Sequence, residues 1–323
     1  MTVRAAKLSV VIPVFNGESA LGELVQRLHS VLQVCPLDYE LILVNDGSWD
    51  KSWDVVCRLV RQHGWIHGIN LMRNYGQHNA LLCGIRAATG EVVITMDDDL
   101  QHPPEVIPDL LATLAKGYDV VYGVPAEEQH GFFRDVASKI TKIALQSAMG
   151  ADIARSVGAF RVFRTQLRDA FANYQSPFVS VDVLLTWGTT RFAAVRVPHE
   201  ARRVGKSNYT FRKLLTHALN MMTGFSVRPL QLASLVGFTF SLLGIGVLLY
   251  VVGRYLILGY SIPGFPFLAS TIAIFSGAQL FALGIIGEYL ARMHFRSMER
   301  PVYVIRDECA GEESQSDLKR RKL

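Results

Sequence analysis

Three adjacent carboxylates, Asp97-Asp98-Asp99, begin the run that continues Leu100-Gln101-His102-Pro103-Pro104-Glu105, and no other residues in the chain are better suited to chemistry. They follow an apolar run, Val92-Val93-Ile94-Thr95-Met96, that predicts a buried strand. Carboxylates crowded at a strand end repel one another, and such a cluster persists when a positive group sits among the side chains. Hard Asp oxygens suit Mg²⁺ or Mn²⁺ far better than they suit zinc. Asp97 and Asp99 are two apart, so in extended backbone they point to the same face. The Pro pair stops strand pairing and starts a helix at Pro104. An acidic surface turn is the plainer alternative, but the position at the mouth of a buried strand favours a cation.

The elements that must hold these carboxylates alternate over the first 125 residues. Leu8–Val14, Glu40–Asn45, Ile66–Leu71, Glu91–Met96 and Asp119–Tyr122 read as strands, with helical patterns over Ser19–Leu32, Trp49–Gln62, Gln77–Ala88 and Pro104–Ala115. The alternation predicts an α/β fold with a mostly parallel sheet and helices on both faces. Ligands of such sheets sit at the carboxyl ends of the strands. Four polar loops fall there: Phe15-Asn16-Gly17, Asp46-Gly47-Ser48, Arg73-Asn74-Tyr75-Gly76 and Asp97–Gln101.

Half the residues are hydrophobic and the mean hydropathy is +0.23, an excess that lies near the C-terminus. No charged residue stands between Arg228 and Arg254, nor between Arg254 and Glu288. A spanning helix needs about 20 predominantly apolar residues. The expectation is a transmembrane helical hairpin, near 230–252 and 267–290, broken by Pro263-Gly264-Phe265-Pro266. Arg292, His294, Arg296 and Arg300 follow it, Arg228 and the basic segment 202–213 precede it, and the connecting loop carries only Arg254. That asymmetry places both termini in the cytoplasm, on the cytoplasmic (inner) membrane. Leu8–Val14 is too short for a signal peptide and contains Pro13. Cys35, Cys57, Cys83 and Cys309 are scattered without zinc or disulfide spacing. The net charge of +5 clusters near the hairpin, which suits membrane lipids, and no nucleic-acid motif is present.

Two further stretches are amphipathic. Gly131–Met149 either lies in the membrane interface or caps the sheet, and Tyr209–Phe225 leads into the hairpin as an interfacial helix. The tail after Asp307 is polar and ends in basic residues, which predicts disorder. The expected organisation is a catalytic domain over 1–208, an interfacial helix over 209–228, the hairpin within 229–292 and a cytoplasmic, partly disordered tail over 293–323.

Taken in order, Val11-Ile12-Pro13-Val14-Phe15-Asn16, Asn45-Asp46-Gly47-Ser48, Arg73-Asn74-Tyr75-Gly76, Asp97–Glu105, Gly205-Lys206-Ser207-Asn208-Tyr209 and Gly287-Glu288-Tyr289-Leu290-Ala291-Arg292 resemble family 2 glycosyltransferases of the GT-A fold. The chain is most similar to the polyprenyl-phosphate glycosyltransferases among them. The resemblance implies a nucleotide-binding set of Pro13, Phe15, Asn16, Glu18, Asp46, Asn74, Gly76, Asp97 and Asp98, with Asp46 accepting the N3 hydrogen of a uracil ring. It implies metal ligation by Asp97, Asp99 and Gln101, and Mg²⁺ or Mn²⁺ as the cofactor. It implies phosphate binding by Arg202, Lys206 and Ser207, and catalytic roles for Asp99, Arg161 and Arg202. Arg is suited to bidentate phosphate contacts and Lys to a point charge.

Two departures stand out. Asn16 is followed by Gly17 and only then by Glu18, where the family pattern puts the acid directly after Asn. Some relatives carry an Asp just before the Phe-Arg pair as a catalytic base, and this chain has Ala159, with Asp152 and Ser156 as the nearby alternatives. A phosphate acceptor is already ionised near neutral pH and needs no such base. The expected activity is therefore inverting transfer of a sugar from a nucleotide sugar, UDP-linked, to polyprenyl (undecaprenyl) phosphate at the cytoplasmic face. The rivals are transfer to a lipid-linked sugar hydroxyl or polysaccharide, and a catalytically silent membrane scaffold. An oxidoreductase is disfavoured because no Gly-x-Gly-x-x-Gly follows the first strand. The resemblance also implies a homo-oligomer, a tetramer in some relatives. It leaves open which sugar is moved and which cell-envelope glycan, lipopolysaccharide included, receives it.

Overall fold

The computed structural model describes residues 7–125, 157–176, 178–198, 227–259 and 264–310. The expected segments Gly131–Met149 and Tyr209–Phe225 lie outside these residues.

Eight strands form one sheet: β1 (Lys7–Val14), β2 (Asp38–Asn45), β3 (Ile66–Leu71), β4 (Val92–Thr95), β5 (Val120–Pro125), β6 (Arg161–Arg164), β7 (Phe192–Val197) and β8 (Ile305–Ala310). Their spatial order is β7-β5-β6-β4-β1-β2-β3-β8, with β6 and β8 running against the other six. The mostly parallel sheet expected from the sequence is present. β1 is central and buried on both faces. Its Leu8, Val10, Ile12 and Val14 pack with α1 (Leu21–Leu32), α2 (Ser52–Gln62) and α4 (Ile107–Ala115), while Val11 packs with α3 (Gln77–Ala87) and α5 (Val181–Thr186) on the other face. Period-two alternation thus feeds two cores from one strand. α1 illustrates the helical counterpart: Leu21, Leu24, Val25, Leu28, Val31 and Leu32 are buried at spacings of three and four.

Pro104 opens a 3₁₀ turn, Pro104–Val106, before α4. A Pro at the first helical position forfeits no hydrogen bond, because that N–H has no partner within the helix.

α6 (Arg228–Leu258) and α7 (Phe265–Ser297) pack side by side and are longer than the sequence pattern marked. Pro229 and Pro266 lie in their first turns, and Gly259 ends α6 in the left-handed region, its N–H bonded to Tyr255 O. Phe240 and Phe275 meet edge to face at 5.9 Å between the helices. Leu249, Ile257, Leu268 and Leu280 point outward and exposed. Both helices are long and apolar enough to cross a membrane.

The tail corrects one expectation. The tail after Asp307 is expected to be disordered, yet its first residues, 308–310, belong to strand β8 on the sheet edge, antiparallel to β3. Asn70 donates to Asp307 at 3.4 Å, and His67 Nε2 lies 3.3 Å from Glu308. An edge strand needs side-chain burial on little of its length, so its polar composition disguises it. After the hairpin the chain therefore returns to the sheet.

Candidate active site

The loops after β1, β2, β3 and β4 meet at the carboxyl edge of the sheet, tied by side chains that bond across them. Asn16 adopts φ 54°, a left-handed conformation that Asn tolerates. Its N–H donates to Ser48 Oγ at 3.0 Å, and its Oδ1 accepts Trp49 N–H at 2.9 Å. Ser48 Oγ donates to Asn45 Oδ1 at 2.5 Å, and Asn45 Nδ2 donates to Asn70 Oδ1 at 2.8 Å. Gly47, at φ 64°, lets the β2 loop pass the β3 loop, since a Cβ there would stand 2.5 Å from the Arg73 carbonyl carbon.

Asp46 is 2% exposed. Its two oxygens accept the backbone N–H groups of Tyr75 at 2.7 Å and Gly76 at 2.8 Å. Burial pushes its carboxyl above the usual range, and those two bonds, with Arg73 nearby, offset only part of that. Asp46 thus fixes the turn into α3, where Gly76 sits at φ 95°. A base N–H reaching it would share an oxygen that already accepts one bond.

The expected nucleotide residues divide. Phe15 is exposed at the site mouth and meets the ring of Trp49, itself 86% exposed, edge to face at 5.8 Å. Asn74 is exposed beside Arg73, whose guanidinium covers the Tyr75 ring at 4.5 Å. Pro13 is buried inside β1, opposite Val44, and not on the open surface. Glu18 is exposed, and its carboxylate accepts Lys51 N–H at 3.2 Å at the start of α2, where a negative charge suits the helix terminus.

Asp97, Asp98 and Asp99 stand half-buried at the end of β4. Asp97 Oδ1 accepts from Gln77 Nε2 at 2.5 Å, Asp98 Oδ2 from Phe15 N at 3.2 Å and Asp99 Oδ1 from Gln101 N at 3.2 Å. Leu100, at φ 59°, turns the chain between Asp99 and Gln101. Among the described residues no three His, Cys, Asp or Glu side chains form a metal-binding group. Asp97 and Asp99 nonetheless fit a hard cation that takes one or two carboxylates and completes its shell with substrate phosphates and water.

Arg161, expected among the catalytic residues, lies deep in the sheet. It is 1% exposed, lies between Thr95 and Tyr122 in the sheet, and forms a buried ion pair with Asp182 of α5. Tyr122 donates to the same Asp182 oxygen at 3.1 Å. This arginine braces the sheet beneath the carboxylates and is not open to a phosphate. Ala159 carries no acid, and its carbonyl accepts from Thr95 Oγ1 at 3.0 Å. Arg202, Lys206 and Ser207, together with Asp152 and Ser156, lie outside the described residues.

The structure also adds residues. Gln77 bonds to Asp97 and Asp182 to Arg161, and neither belongs to a sequence motif. His78 Nδ1 accepts from Val181 N at 3.4 Å, and Arg292 of α7 lies 4.6 Å above the Phe178 ring. A relay of neighbours therefore runs from the hairpin through 178–182 to His78, Gln77 and Asp97. Gln77 at a helix start after Gly76 was the one signal available in the sequence.

The sequence model of glycosyl transferase family 2 matches residues 9–172, the span that holds all four loops. The chain is 34% identical over 302 residues to the undecaprenyl-phosphate 4-deoxy-4-formamido-L-arabinose transferase of Serratia proteamaculans, covering 93% of each protein. It is 35% identical to that of Photorhabdus laumondii over the same shares. The chain belongs to glycosyl transferase family 2. It is a glycosyltransferase, and the similarity to these relatives extends through both apolar helices. The fold matches glucosyl-3-phosphoglycerate synthase from Mycobacterium tuberculosis in complex with Mn²⁺, uridine diphosphate and phosphoglyceric acid, with TM-score 0.51 and 18% identity over 68% of this chain and 76% of that one. The two proteins thus share a fold.

Proposed function

We infer that this glycosyltransferase moves a sugar from a nucleotide sugar, UDP-linked, to undecaprenyl phosphate at the cytoplasmic face of the inner membrane. The relay from Arg292 to Asp97 carries this reading: it ties the edge that bears the carboxylates to the end of a helix suited to the bilayer. The relatives named for undecaprenyl-phosphate transfer match almost the whole chain, hairpin included. The acceptor's hydrocarbon tail cannot leave the membrane cheaply, since each buried CH₂ contributes about 0.8 kcal/mol. The enzyme must bring its site to the lipid.

In this reading Phe15, Asn16, Asn74 and Gly76 line the nucleoside side, and Asp46 holds the loop that carries the last two. Asp97 and Asp99, with Gln101, would hold Mg²⁺ or Mn²⁺. Such a cation, when bound, neutralises charge that develops on the departing diphosphate. Arg202, Lys206 and Ser207 supply phosphate contacts. The acceptor phosphate oxygen attacks the anomeric carbon, the bond to the nucleotide diphosphate breaks on the opposite face, and the configuration inverts. The oxygen is already ionised, so Ala159 costs the reaction nothing. Positioning and fixed charges then carry the catalysis. A sugar hydroxyl as acceptor would need the base that Ala159 lacks.

The test is a panel of nucleotide sugars offered to the purified protein with Mg²⁺ or Mn²⁺ and undecaprenyl phosphate. The expected product is an acid-labile undecaprenyl-phosphate sugar from one donor. Products linked only through sugar hydroxyls would overturn the acceptor assignment.

A further inference from the structure

Gly17 and Asp98 lie far apart in sequence, on the loops after β1 and β4, yet they occupy each other's space. An ideal Cβ on Gly17 would stand 2.5 Å from Asp98 Oδ2 and 3.3 Å from its Cγ. A real Cβ does not approach a carboxylate oxygen so closely. Gly17 has no left-handed φ to explain its glycine, unlike Gly47 and Gly76. Glycine stands at 17 for space. The space is filled by a carboxylate whose Oδ2 also accepts the backbone N–H of Phe15. On the other side, Gly17 N–H donates to Ser52 Oγ at 2.9 Å. The turn Phe15-Asn16-Gly17 is therefore pinned between the acidic run and the start of α2.

We propose that Gly17 and Asp98 form a matched pair in which the missing side chain at 17 admits the Asp98 carboxylate, making Asp98 the positioning residue of the Phe15–Gly17 turn. The proposal rests on the reading that this edge binds a nucleotide diphosphate, and it divides labour among three carboxylates of one type. Asp97 accepts from Gln77 and Asp99 from the Gln101 N–H, and on the proposed function these two would hold the cation. Asp98 reaches the loop after β1 and holds the turn that faces the nucleoside. The run of three is then two ligands around one clamp. The clamp also couples the two halves of the donor site, because the chain that carries the cation ligands sets the position of Phe15 and Asn16.

A double-mutant cycle on the full-length protein in detergent tests the pair, using wild type, Gly17→Ala, Asp98→Ala and the double variant. The readouts are the unfolding midpoint, UDP affinity with Mn²⁺, and kcat and KM for the donor. A methyl at 17 collides with the carboxylate, so Gly17→Ala is expected to weaken UDP binding by about tenfold or more and to lower the midpoint. Asp98→Ala removes one acceptor and is expected to weaken UDP binding by about threefold to tenfold, raising KM more than it lowers kcat. In the double variant the collision is gone, so it should bind UDP better than Gly17→Ala alone. Losses that simply multiply would overturn the pairing. Asp98→Asn keeps the shape and an acceptor oxygen, and is expected to keep UDP affinity within about threefold of wild type. A loss as large as that of Asp98→Ala would overturn the positioning role. Should no form bind UDP, the nucleotide reading fails, and the midpoints still decide the pair: non-additive shifts support it and additive shifts overturn it.

Discussion

The two edges of the sheet treat carboxylates in opposite ways. At the amino edge, Glu40 is buried and accepts from Ser9 Oγ at 2.5 Å, Thr89 N at 2.7 Å, Thr89 Oγ1 at 2.7 Å and Lys7 Nζ at 3.0 Å. Burial alone would push its carboxyl up, but these donors and the Lys7 charge outweigh it and hold the carboxyl below the usual range. At the carboxyl edge, three carboxylates stand side by side and half-buried, and the donors described above are an amide and backbone N–H groups. A satisfied carboxylate stabilises a fold. A crowded set leaves affinity for a cation that arrives with the substrate. The two edges thus set carboxylates differently: one deep among four donors, three side by side at the open end of the sheet.

The contrast can be broken most decisively at Asp99. Asp99→Ala is expected to lower sugar transfer by about 10³-fold or more while the unfolding midpoint barely moves. A variant that keeps its turnover would remove the functional half of the comparison. Next comes the buried pair beneath the site. Asp182→Ala leaves Arg161 desolvated without its partner and should cost about 3–5 kcal/mol in denaturant unfolding. A cost under about 1 kcal/mol would mean the pair behaves as a surface contact. Glu40→Gln should cost about 1–3 kcal/mol, with kcat and KM close to wild type.

Acid sharpens the same comparison with two signs. The Glu40 carboxyl is depressed in the folded state, so its stabilisation is present above the unfolded value of about 4.3 and is lost as pH falls through the folded value. The stability gap between wild type and Glu40→Gln should hold near neutral pH and close below it. Asp46 is raised, so its contribution is present below the unfolded value of about 3.9 and is lost as pH rises through the folded value. Wild type should gain slightly on Asp46→Asn as pH falls from neutral. Parallel pH profiles for the two variants would contradict the assignment of opposite environments.

What the sequence revealed follows from how local each signal is. β1 to β5, α1 to α4 and the apolar hairpin announce themselves by alternation, helical spacing or uncharged length. β6 is Arg-Val-Phe-Arg, too short and too charged to stand out, and β8 hides behind the polar face of an edge strand. The carboxylate edge was legible because Asp97–Asp99 end a buried strand. The contacts of Arg161, Glu18 and Asp98 were not, because each meets a residue from another element: Asp182, Lys51 and Gly17. No spacing rule links such residues. An arginine in an apolar strand looks the same whether it meets a phosphate or a buried aspartate.

The most direct test of the cation-holding edge is a titration of UDP into the purified protein with and without Mn²⁺, on wild type and on Asp99→Ala. The expected result is tight UDP binding only with Mn²⁺ and only in wild type, with Mn²⁺ immobilised in the same complex. Equal UDP affinity in all four samples would contradict the account.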